Sequence, residues 1–203
     1  PGPYLDVKQV WTFGIGHTAA AGPPDPAQMP RGMPAELDAA IREAFRLFRS
    51  DIVAYEAEEE ALTRFDPGAP GYYQLLLARA ATLVLLGRGA EGRRVAERAV
   101  ALAQGEAAPE RAAAGFVLAG VLLDGGHPAE ALAALEAAAA LAPGAGRDPW
   151  WVLRRAMILG DLGRAAEARA LLLEVRALGG PDMEDDVRLA RRRLVTAPAR
   201  APR

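Results

Sequence analysis

The 203-residue chain has no cysteine, only two histidines and a single lysine, Lys8. Without cysteine there are no disulfides, thiolate nucleophiles or thiolate metal sites. His17 and His127 stand far apart in sequence. A histidine-rich metal centre is therefore not expected, and neither a metal nor a cofactor is. No apolar run reaches the ~18 residues that crossing a bilayer requires, so no membrane span is expected. The richest run, Leu75 to Leu86, is interrupted by Arg79 and reads as one buried helix. Gly14-Ile15-Gly16 lacks the third glycine of a dinucleotide loop and has no helix after it, which excludes phosphate binding of that kind. The arginines at 188, 191, 192 and 193 have no interleaved aromatics, and the whole chain carries −2. They read as a solvated face rather than a nucleic-acid interface.

Apolar residues make up 51% and charged residues 25% of the chain, enough apolar matter for a folded core. Charge is uneven. Residues 1–60 hold 5 basic and 10 acidic side chains, whereas residues 61–203 hold 19 and 16. Arginine in place of lysine, with abundant Ala, Gly and Pro, is the usage of a GC-rich bacterial genome. The compartment stays open between cytoplasm and cell envelope.

Along the chain, Tyr4 to Thr18 is β-leaning, with Val10, Trp11, Thr12, Phe13 and Ile15 favouring extended backbone. Five prolines make residues 19–34 a loop. One long helix is expected from Ala35 to Leu62, because Leu37, Ile41, Phe45, Phe48, Ile52 and Tyr55 form a helical stripe. Glu56, Glu58, Glu59 and Glu60 read as its solvated face. Asp66 to Gly71, rich in Pro and Gly, is the strongest break. It is expected as a linker (66–71) between a first unit (1–65) and a second (72–195), with a disordered tail at 196–203.

Beyond the break the sequence repeats itself. Three segments align without gaps on Gly87, Gly126 and Gly163. Seven residues before each stands Ala80, Ala119 or Ala156, and four before stands Leu83, Leu122 or Leu159. Four residues after stands Glu91, Glu130 or Glu167, and fifteen after stands Leu102, Leu141 or Leu178. The pattern predicts antiparallel helical hairpins turning at the glycine, which tolerates left-handed backbone. Small residues would let the two helices approach, and stacked neighbours would create the core. Ala107–Arg111 and Gly146–Asp148 read as short insertions between hairpins. Met183 to Val195 reads as a capping helix that buries Val187, Ala190 and Leu194. Of the Trp150-Trp151 pair, one ring is expected in the core and the other in a groove.

These segments resemble the tetratricopeptide repeat family. The middle one carries its pattern best, in Ala119, Leu122, Gly126, Ala131, Leu135, Ala138 and Pro143. The third follows with Ala156, Leu159, Gly163, Ala168, Leu172 and Val175. The resemblance implies a protein-binding scaffold whose first helices line a groove. The matching positions give Leu77, Phe116, Leu123, Trp150, Leu153 and Met157, an apolar lining suited to a protein or peptide partner.

The N-terminal stretch resembles phage-type lysozymes, glycoside hydrolase family 24. Tyr4, Asp6, Thr12, Gly14, Gly16 and His17 stand at that family's spacings, although Gln9 replaces its usual turn glycine. The resemblance implies Asp6 and Thr12 as catalytic residues that hold and activate the attacking water, with peptidoglycan as the substrate. The family's general acid, a glutamate nine residues before Asp6, would stand upstream of Pro1. The fold expected is mainly α, a helical-hairpin solenoid preceded by a small α+β lysozyme-like fragment. The function expected is a protein-interaction scaffold carrying a truncated, inactive lysozyme-like segment. The alternative is a muramidase whose catalytic glutamate is missing from this chain.

Overall fold

In the computed structural model the structure describes residues 32–47 and 52–196. Nine α-helices fill them: α1 Ala35–Leu47, α2 Ile52–Arg64, α3 Tyr72–Leu85, α4 Gly89–Leu102, α5 Ala108–Asp124, α6 Pro128–Ala139, α7 Pro149–Asp161, α8 Ala165–Gly179 and α9 Glu184–Thr196. No strand occurs among the described residues. The β-leaning stretch Tyr4–Thr18 and the tail after Thr196 lie outside them.

The fold is mainly helical and compatible with a helical-hairpin solenoid. The most extensive packing is between sequence neighbours, in the pairs α3–α4, α5–α6 and α7–α8, and first helices of successive hairpins also touch. The three turns are built alike. Gly87, Gly126 and Gly163 have φ of 75°, 80° and 79°. After α3, the N–H of Arg88 donates to the Leu83 carbonyl (2.8 Å) and that of Gly87 to Val84 (3.0 Å). His127 to Leu122 (2.8 Å) and Arg164 to Leu159 (2.9 Å) repeat the bond in the next two hairpins. This is the Schellman arrangement, and it needs a left-handed residue after the helix. A Cβ at Gly126 would stand in open space. Gly126→Ala should therefore lose only the conformational term, about 1 kcal/mol. Urea unfolding checks this against Gly146→Ala, which also meets nothing and has no positive φ. Equal stabilities would remove the turn from the account.

The aligned small and leucine positions are core. Ala80, Ala119, Ala131 and Ala168 are wholly buried, and Leu83, Leu122 and Leu159 are nearly so. At Gly92 a Cβ would come within 2.7 Å of the Ala80 carbonyl oxygen, so α3 and α4 meet backbone to backbone there. The repeated glutamates fall in the first turn of the second helices, where negative charge suits the helix dipole. Glu91 and Glu167 pair with Arg88 and Arg164, each at 2.6 Å. The middle repeat has His127 at the position of those arginines, and there Glu130 reaches back to Arg93 of α4, also at 2.6 Å.

Three expectations are corrected. The stretch expected as one long helix is two, α1 and α2, which pack against each other. Ends five residues apart on a straight rod would not make those contacts, so the chain folds back. Together they add a further hairpin ahead of the three, with α1 touching α3 as α3 touches α5. Secondly, Asp66–Gly71 is no boundary between cores among the described residues. Two tight turns (Ala69 N–H to Asp66 O, 2.9 Å; Tyr72 N–H to Ala69 O, 3.0 Å) carry α2 into α3. Leu37, Ile41, Ala44 and Ala61 from the first side share one apolar cluster with Tyr72, Leu75, Leu76 and Ala99 from the other. Thirdly, most of Ala107–Arg111 is not an insertion between helices, because it forms the first turn of α5, whose 17 residues exceed the 14 of α3. In the last helix, α9, Leu194 is half-buried. Val187 and Ala190 are buried while Arg188, Arg191 and Arg192 are exposed.

Candidate functional site

Asp6, Thr12 and His17 lie outside the described residues. The six groove positions are described, and they do not form an open lining. Leu77, Phe116, Leu123 and Leu153 are buried, and only Trp150 and Met157 are half-buried. The reason is that side chains from neighbouring helices cross the inner face. The Phe116 ring lies 4.7 Å from that of Trp151, and the Arg154 guanidinium lies 4.6 Å from the centre of the Phe116 ring. The space a Cβ would need at Gly120 is taken by Arg154, and at Gly160 by Leu194 of the cap. Of the tryptophan pair, Trp151 is the core residue.

A cleft does open elsewhere, between the second and third hairpins. It has a volume of about 230 Å³ and lies among α6, α7, α8 and the 3₁₀ turn Ala145–Arg147. Its apolar lining includes Leu135, Trp151 and Leu171, and its exposed polar lining is Glu136, Arg155 and Glu174. Arg155 stands 3.7 Å from Glu136, a loose surface pair worth little by itself. The junction is built by Asp148, which caps α7 by accepting from the Trp150 and Trp151 N–H groups (2.8 and 3.4 Å). Burial pushes the Asp148 carboxyl up, and those two donors oppose the shift. Ala145 and Gly146, from the 3₁₀ turn before α7, line the cleft. The Gly146–Asp148 insertion was the sequence signal for this cleft.

A second polar cluster was missed by sequence reasoning. Glu58, expected in a solvated face, is wholly buried between α2 and α3. One carboxyl oxygen lies 2.7 Å from Thr82 Oγ1, and the other, Oε2, has no hydrogen-bond partner. Arg79 is 6% exposed. Its guanidinium donates to the Tyr55 carbonyl (2.8 Å) and to Glu59 (2.5 Å), and stays 3.8 Å from Glu58 Oε2. It also stacks 3.3 Å from the centre of the Tyr55 ring. Burial drives the Glu58 carboxyl up to about 7, against the Thr82 hydrogen bond and the Arg79 charge. Arg79, interrupting an apolar run, was the available sign that a carboxylate must meet it inside.

Among the described residues no cluster of His, Asp and Glu is arranged to hold a metal ion, and no helix is long and apolar enough to cross a membrane. Comparison with protein-family models, with curated proteins and with solved structures finds no match.

Proposed function

We propose that the chain is a protein-interaction scaffold of the tetratricopeptide type, and that a partner segment enters the cleft between the second and third hairpins. The observation that carries this reading is the repeated hairpin, with the same turn and the same small buried positions three times over. Such stacks put their sequence into surface rather than into one enclosed centre. The cleft adds a place where apolar lining reaches the surface, and its size suits one or two side chains. Two carboxylates, Glu136 and Glu174, stand there against the single guanidinium of Arg155. The ligand best matched is a peptide presenting an apolar side chain beside a basic one.

A displayed peptide library selected on the full chain tests this. Selected peptides should be rich in apolar–basic pairs. They should lose about tenfold or more in affinity for a Glu136→Lys/Glu174→Lys variant, whose exposed substitutions leave the core alone. Such a loss corresponds to about 1.4 kcal/mol. Enriched peptides that bind the variant equally well would move the site elsewhere. A library yielding no specific binder would count against the scaffold reading itself.

A further inference from the structure

The cluster around Glu58 is not part of the cleft, and it joins the α1–α2 hairpin to the first repeat. Two carboxylates, Glu58 and Glu59, share the one guanidinium of Arg79. That guanidinium donates to Glu59 and to the Tyr55 carbonyl, and Glu58 Oε2, 3.8 Å from it, receives no hydrogen bond. The Thr82 hydroxyl can donate to an ionised Glu58 or accept from a neutral one, so the 2.7 Å contact serves either form. A carboxylate oxygen that receives no hydrogen bond and is enclosed by protein favours the neutral form, and the Arg79 charge at 3.8 Å offsets only part of that burial cost.

We infer that the seating of the α1–α2 hairpin on α3 is a proton-coupled contact, held closed while Glu58 is neutral and loosened when Glu58 is ionised. The groups that face it are few. From α3 come Arg79 and Thr82, and from α2 itself Tyr55 and Glu59. Arg88, in the turn after α3, lies 5.3 Å from the Tyr55 ring centre. On α1, Asp38 and Arg42 pair with each other at 2.8 Å. The Glu58 carboxyl, raised from 4.5 to about 7, supplies the sign. The seated state binds the proton more tightly than the unseated one. Seating is therefore strongest below about pH 4.5, weakens as pH rises towards 7, and levels off above it. Loosening the contact would uncover the apolar cluster that Leu37 and Ile41 share with Leu75 and Leu76.

Amide hydrogen exchange on the full chain tests this, read as protection relative to unstructured-peptide rates at each pH. Protection of α2 should fall about tenfold between pH 6 and pH 8.5, as the two proton affinities require, while α6 and α8 keep theirs. In Glu58→Gln, which cannot ionise, the fall should vanish. Equal α2 protection in the wild type at both pH values would overturn the inference, with no variant needed. So would a fall shared by every helix, or one that survives in Glu58→Gln.

Discussion

Phe116→Ala should lower stability by about 3–5 kcal/mol, the cost of emptying a well-packed aromatic site. The ring is 1% exposed, sits 4.7 Å from Trp151 at an interplanar angle of 48°, and has the Arg154 guanidinium 4.6 Å from its centre. An aromatic pair contributes about 0.5–1.5 kcal/mol beyond the area it buries, and truncation forfeits that as well. The loss should be local first. Phe116 belongs to the cluster joining α5, α6 and α7, so hairpins two and three should loosen before the first repeat does. Urea unfolding followed by circular dichroism should show a lower midpoint and a broader transition. Trp150→Ala, at a half-buried ring, should lose much less. A Phe116→Ala loss under ~1 kcal/mol would mean that the ring is not core, and would restore it as a groove residue.

What could be read from sequence followed its periodicity. Gly87, Gly126 and Gly163, with the alanines and leucines at fixed distances from them, recur because the turn and the close helix approach each need a particular residue. Three hairpins and a cap were legible for that reason. The α1–α2 hairpin was not. Its apolar stripe runs from Leu37 to Tyr55 without losing helical phase, and no glycine marks the reversal between Leu47 and Ile52. The expected groove failed for another reason. Helical spacing says which residues share a face, but not whether Arg154 or Leu194 lies across it. Glu58 was hidden by its company, four glutamates within five positions, of which three stay exposed. Its partner Thr82 is 24 residues away, and only the fold brings them together.

Arg79→Met should be the second severe variant, and its effect should depend on pH. Removing one partner of a buried ion pair typically costs about 3–5 kcal/mol, because the other charge is left enclosed. Glu58 can limit that loss by keeping its proton. At pH 5 it is already neutral, since its carboxyl titrates at about 7. Only the bonds to Tyr55 and Glu59 and the stacking on the Tyr55 ring are then lost, about 1–2 kcal/mol. At pH 8.5 the variant must either enclose an anion with no cation near it or hold the proton against the solvent. The Arg79 charge lowers the Glu58 value, so removing it moves the carboxyl further up. In the wild type the loss of stability with pH levels off above about 7, and in the variant it should continue. The difference between the two proteins should therefore grow from pH 5 to pH 8.5, reaching about 3 kcal/mol or more. Urea midpoints at the two pH values measure it. Adding Glu58→Gln to Arg79→Met should recover most of the alkaline loss, because no charge then remains enclosed. An Arg79→Met loss of the same size at both pH values would show that Glu58 and Arg79 are not coupled, and the pair would then matter only as packing.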